Sequence, residues 1–198
     1  MDFRRYYLTQ ISTNEKPQLA NPGGLGLIAF GFCTMLLQIF NLGVITNAVP
    51  LVFGFFWGGI AQVIVGTVEA KRGDTFGMAA FTSYGLFWMA LGGYFGLTWA
   101  GLLPVEAAGL GWMCIFFAIF TGMMTIGTFK LTHVHTTVFV TLTILFILLA
   151  GHFLADWSPK IAGVVGLICG ASAAYGGLAV TINSKYTRPI LPMGNWTK

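Results

Sequence analysis

Charge is what this 198-residue chain has least of. Only 8% of its residues are Asp, Glu, Lys or Arg, where a soluble domain carries about 25%. The shortage also comes in blocks. Residues 17–68 contain no charged side chain, and neither do 75–105, 107–129, 131–155 or 161–184. With 56% hydrophobic residues and a mean hydropathy of +0.79, a soluble globular fold is excluded. The long apolar runs show no strand-period alternation, which excludes a β-barrel. Residues 1–20 hold Asp2, Arg4, Arg5, Glu15 and Lys16 and no apolar core, so they do not read as a signal peptide. There are three cysteines, Cys33, Cys114 and Cys169, at spacings that fit no metal motif. They read as packing residues. Walker, Rossmann, zinc and hydrolase motifs are all missing, so we expect no enzyme, no cofactor and no metal.

A bilayer crossing takes roughly 20 apolar residues. The first uncharged block is long enough for two crossings, with a break between Asn41 and Pro50; each of the others fits one. The sequence therefore predicts an all-α, polytopic membrane protein. Its six transmembrane helices fall at about 22–42, 50–69, 76–103, 107–129, 134–154 and 161–183. An N-terminal tail (1–20), a six-helix domain (21–184) and a C-terminal tail (185–198) follow from this division.

An even number of crossings puts both tails on one side, together with the loops at 70–75 and 130–133. That side holds Arg4, Arg5, Lys16, Lys71, Arg72, Lys130, Lys185, Arg188 and Lys198; the other holds only Lys160. The positive-inside rule then predicts cytoplasmic termini in an inner or plasma membrane. This bias accounts for the net charge of +4, so nucleic acid is not an expected partner and membrane lipid is.

Glycine is abundant, with 27 in the chain. Gly54/Gly58, Gly92/Gly96 and Gly166/Gly170 have the spacing that lets helix backbones touch. With 18 Phe and 6 Trp, the chain has more aromatic surface than one small bundle can bury, which points to an oligomer. The heptapeptide Asn21-Pro22-Gly23-Gly24-Leu25-Gly26-Leu27 marks an unusual helix start. Asparagine can cap free amides, proline fits a first turn, and the glycines leave the backbone bare.

Taken as a set, these motifs resemble the acetate uptake transporter family. The resemblance covers Asn21 to about Gly194. It rests on the heptapeptide, on Gly58-Gly59-Ile60-Ala61-Gln62 and Glu69, and on Lys71-Arg72-Gly73-Asp74-Thr75-Phe76-Gly77. Further along it includes Phe81-Thr82-Ser83-Tyr84-Gly85-Leu86-Phe87-Trp88, Thr141-Leu142-Thr143, and Gly166 to Ala173 with Tyr175 and Asn183. Two positions depart from the family pattern. Gly24 replaces a second proline, which should loosen the helix start. Val180 stands where bacterial members often carry a glutamate, which removes a proton-handling group. The resemblance implies transport of acetate and related small monocarboxylates, with succinate as a further substrate. It also implies a homo-hexamer with one pore per protomer, working as a channel or as a proton-coupled transporter.

No Lys or Arg lies inside a helix, so a carboxylate must be met by hydroxyls, amides and helix N-termini. The expected substrate-binding residues are Asn21, Gln62, Thr82, Ser83 and Thr143. The N-termini of helices 1, 3 and 5 all face the cytoplasm. Phe30, Tyr84 and Leu142 lie at one depth on these helices, about 12 Å from their starts. They either share a core layer or form a hydrophobic constriction; the resemblance implies the constriction. Glu69 is expected at the inner mouth or in a proton relay, and Asn41 in the outer vestibule. Two other readings fit the same composition: a channel for a neutral solute such as urea, ammonia or water, and a membrane sensor or scaffold that transports nothing.

Overall fold

The structure is a computed structural model that describes residues 19–196. The predicted N-terminal tail, with Arg4, Arg5 and Lys16, lies almost wholly outside the described residues, as does Lys198. Six helical segments follow: α1 Gly23–Asn41, α2 Val49–Arg72, α3 Thr75–Trp99, α4 Ala107–Thr128, α5 His133–Ala155 and α6 Pro159–Asn183. Five are long and apolar enough to span a membrane by composition alone. The exception is α3, which has the length, at 25 residues, but whose Gly, Thr, Ser, Tyr and Trp lower its hydropathy. It ends at Trp99, four residues before the predicted boundary.

The helix starts are set by residues legible in the sequence. Asp74 accepts a bond from the Gly77 amide at 2.9 Å and opens α3. Thr132 opens α5, and Ser158 with Pro159 opens α6. Gly73, at φ 82°, ends α2 in the left-handed conformation that glycine adopts without strain.

The helices pack in a ring. α1 lies on α6, α6 on α5, and α5 on α4; on the other side α1 meets α2 and α2 meets α3. The gap between α3 and α4 is bridged by aromatic rings, with Phe87 and Phe117 4.7 Å apart. Most of the predicted glycine contacts lie within this ring. A Cβ on Gly31 would come within 2.6 Å of the Gly170 carbonyl, so α1 and α6 touch through their backbones. Gly54 and Gly58 receive the Trp88 ring. Gly96 has open space beside it.

Two features were not foreseen. Residues Gly54–Ala61 of α2 form a π-helix, a form that often marks functional places in a helix. The C-terminal segment, up to Trp196, lies back on the bundle as a strap. The Asn183 side chain holds the backbone of Ile190 and Leu191, and the Tyr175 hydroxyl donates to the Pro192 carbonyl at 2.6 Å. The amides of His133 and Val134 donate to the carbonyls of Gly194 and Met193, and the Trp196 indole stacks 4.2 Å from His133.

Candidate permeation pathway

Two cavities lie inside the ring. The first, about 310 Å³, is at the end of the bundle that carries the termini. Asn21, Glu69, Arg72, Asp74 and His135 line its wide part, and Gln62 its wall. The second, about 360 Å³, lies toward the other end, with Asn41, Gln38, Trp99 and His152 among its lining. Among the described residues, three border both cavities: Phe30, Tyr84 and Leu142. Each is nearly closed to solvent. Phe30 lies seven residues into α1, and Tyr84 and Leu142 nine into α3 and α5, a depth of about 10 to 14 Å.

Packing holds this layer rigid. The Tyr84 ring sits among Phe30, Phe117, Phe120 and Phe139, at centroid distances of 5.6 to 6.1 Å. Its hydroxyl pairs with Thr121 Oγ1 on α4 at 2.9 Å. Thr121 is fully buried and was not foreseen; α4 also carries Thr125 and Thr128, so the residue pattern does not single it out.

Gln62 follows the π-helical stretch directly. Its Nε2 donates to the Gly58 carbonyl at 2.6 Å, while its Oε1 is buried with no partner among the described residues. In the second cavity Asn41 Nδ2 donates to Gln38 Oε1 at 2.8 Å, and the buried Trp88 Nε1 has no partner among the described residues. The sequence reading missed Gln38, although it stands one helical turn before Asn41. Glu69 is buried and bonded to Arg72 Nε at 3.1 Å, and Arg72 also donates to the Leu19 carbonyl at 2.7 Å.

Three expected carboxylate ligands are elsewhere. Thr82, Ser83 and Thr143 line neither cavity. Thr82 faces Gly66 of α2, where small residues bring two helices together. The Thr143 hydroxyl donates to its own helix at Phe139 O, 2.8 Å away, and its methyl faces Gly122 of α4. Asn21 and Gln62 do meet in the first cavity.

The helix N-termini are also more occupied than expected. Asn21 Oδ1 takes the Gly23 amide at 2.9 Å, Asp74 caps α3, and the strap covers α5. Gly24 is a point of close contact at the start of α1. A Cβ there would come within 2.5 Å of the Thr181 hydroxyl and 3.2 Å of the Gly177 carbonyl, so the glycine admits α6.

A ring of membrane-length apolar helices, with a chamber at each end and an apolar layer between, defines a polytopic membrane protein built around a pathway for a small solute. Comparison with known proteins assigns it further. The model of the GPR1/FUN34/yaaH family matches residues 5–195, and the chain belongs to that family. It is 42% identical over 181 residues to the succinate-acetate/proton symporter SatP of Escherichia coli strain K12, covering 89% of this chain and 96% of that one. A protein of Methanothermobacter thermautotrophicus is 37% identical, covering 93% of this chain and 95% of its own. A solved structure described as the bacterial acetate channel SatP superposes with a TM-score of 0.87 at 42% identity, covering 89% of this chain and all of that one.

Proposed function

We propose that this protein carries acetate and related small carboxylates, succinate among them, through the two cavities and past Phe30, Tyr84 and Leu142. The observation that carries this reading is that these three side chains alone, among the described residues, border both chambers. A thin apolar layer between wider chambers can gate by excluding water. The substrates named for the similar proteins agree with it.

Asn21 and Glu69 stand at the mouth of the first cavity, Gln62 beneath the layer, and Asn41 in the far vestibule. The cation bias supports placing the first cavity and both termini in the cytoplasm, in an inner or plasma membrane. Exposed Phe56, Trp112 and Phe116 supply apolar surface for lipid and for neighbouring copies, in keeping with a hexamer that has one pore per protomer. We read the protein as a transporter or channel, with no catalytic role.

Uptake of radiolabelled acetate into proteoliposomes, with succinate, formate and urea as competitors, tests the proposal. Saturable uptake that succinate or formate inhibits is expected. Urea flux that acetate leaves untouched would favour a neutral-solute channel. No flux of any solute would favour a sensor or scaffold.

A further inference from the structure

The second chamber has no Asp, Glu, Lys or Arg in its lining among the described residues. Its polar edge is the Gln38–Asn41 pair, where one Asn41 N–H is already spent on Gln38. A carboxylate that leaves water for such a chamber gives up hydration and meets no fixed charge in return. One residue of the lining can supply a charge. His152 of α5 faces this chamber, and imidazole is the side chain that gains a positive charge near neutral pH. The ring is held in a defined way. Its Nδ1 lies 2.8 Å from the Trp157 carbonyl oxygen. A carbonyl oxygen only accepts, so Nδ1 carries the hydrogen and donates it. That bond fixes the tautomer and leaves Nε2 as the nitrogen that takes up a proton. Nε2 has no partner among the described residues and is not sealed from solvent.

The loop that supplies the carbonyl is itself fixed. Asp156 turns the chain at φ 53°, the Trp157 amide donates to the Gly151 carbonyl at 3.2 Å, and the Trp157 ring covers Gly151. His152 also stands in the last turn of α5, where the carbonyl end of a helix favours a cation. The other groups around it leave the imidazole as the charge of the chamber. Across the cavity α3 brings the Tyr84 phenol, bonded to Thr121, and α4 brings the Cys114 thiol; α1 and α2 bring no titratable group. At the rim stand Glu106 at the start of α4, Asp156 beyond α5 and Lys160 in the first turn of α6, all exposed. No carboxylate among the described residues forms an ion pair with His152.

We propose that His152 is the anion-receiving group of the second chamber: with Nε2 protonated it binds the carboxylate of acetate, and with Nε2 neutral it does not. The carboxylate oxygen accepts a charge-assisted hydrogen bond from Nε2–H. The proton stays on the ring, and no covalent bond of the cargo is made or broken. The chamber holds acetate best in mildly acidic solution and worst in alkaline solution. This inference rests on the carboxylate-transport reading above.

The test is an acetate titration of the full chain in detergent, with ring-labelled histidine followed by NMR. The His152 signal is the one that His152→Asn removes. The asparagine amide takes the place of imidazole Nδ1 and keeps a donor for the Trp157 carbonyl. At about pH 7, acetate should move the His152 signal toward its acid position. Acetamide, of the same shape and without charge, should leave it in place. Acetate should bind about tenfold more tightly at about pH 5.5 than at about pH 8. In proteoliposomes, with empty vesicles subtracted, His152→Asn should raise the KM for acetate severalfold at the lower pH, leave it near wild type at the higher, and keep the maximal rate. A His152 signal that acetate leaves in place, or that acetamide moves as far, overturns the inference. So does a His152→Asn protein with the wild-type KM at both pH values. If that variant does not elute as a single species, His133→Asn and His135→Asn assign the signal by elimination and the acetate titration decides. Absence of any wild-type acetate flux rejects the transport reading itself, while the ring signal still decides whether the chamber receives a carboxylate.

Discussion

Replacing Thr121 with valine tests whether the Tyr84 ring is held in place or merely packed. The two residues are isolated from solvent, at 0% and 4% exposure, and share one hydrogen bond of 2.9 Å. Valine keeps the shape of threonine and removes the hydroxyl. Tyr84 Oη then has no partner in a dry setting, which costs about 1–3 kcal/mol. Tyr84→Phe should cost less. The Thr121 hydroxyl can turn to its own helix, as Thr125 and Thr143 already do. The double variant should therefore resemble Tyr84→Phe alone, with a coupling of about 1 kcal/mol or more between the two sites. Thermal unfolding in detergent reads the stability side. For transport, about 1.4 kcal/mol of lost tether corresponds to a tenfold change in how often the ring leaves its place. Acetate flux through Thr121→Val should rise severalfold, up to that limit. Equal stability losses for Thr121→Val and Tyr84→Phe, together with unchanged flux in both, would show that the hydroxyl pair holds nothing.

Leu142→Ala should open the shared border of the two cavities, raising uptake of longer monocarboxylates severalfold relative to acetate, at a stability cost of about 2–5 kcal/mol; competition uptake in proteoliposomes measures the ratio. Gly31→Val should prevent folding, because its Cβ would lie 2.5 Å from the Ala174 amide nitrogen, whereas Gly96→Ala, in open space, should elute as wild type on size exclusion. Asn183→Leu removes three hydrogen bonds that fix the strap, so the His133 and Val134 amides should exchange with solvent deuterium about tenfold faster.

Helix number and placement were legible because they follow from where charges are missing, and burying a charge in hydrocarbon costs far more than any local propensity. The depth of Phe30, Tyr84 and Leu142 was legible for a related reason: three helices running the same way start near one membrane boundary, so offsets of seven to nine residues give similar depth. The facing of hydroxyls was not legible. Thr82, Thr121, Thr141 and Thr143 look alike in sequence, yet Thr141 and Thr143 bond back to their own helix, Thr82 packs on Gly66 of α2, and Thr121 pairs with the Tyr84 hydroxyl of α3, because a threonine can always satisfy itself on its own backbone. The π-helical stretch was equally hidden. Gly58-Gly59 announces close packing in any helical form, and the extra residue per turn that re-aims Gln62 has no signature in the residue pattern. Tyr175 and Asn183 belong to the sequence motif but hold the strap, so resemblance located them without giving their role.

The physical problem such a pathway solves is the thickness of dry material. An ion in about 30 Å of hydrocarbon loses nearly all its hydration for the whole crossing. Here a chamber of 310 Å³ and one of 360 Å³ reach inward from opposite ends and leave a single layer of side chains between them. That layer holds no charge, and its one hydroxyl, on Tyr84, is already bonded to Thr121. It can therefore offer neither an anion nor an ordered water file a place to rest. With the apolar Val180 on the wall of the first cavity, the buried carboxylate there is Glu69, itself tied to Arg72. Selectivity must then come from what the chambers present just outside the layer. On the first side that is the Gln62 amide, and on the second it is the Gln38–Asn41 pair with the free indole N–H of Trp88. The two sides are chemically unlike, with Gln62 and Glu69 lining one chamber and Gln38, Asn41 and Trp88 the other, so the pathway should not treat a given form of its cargo equally in both directions.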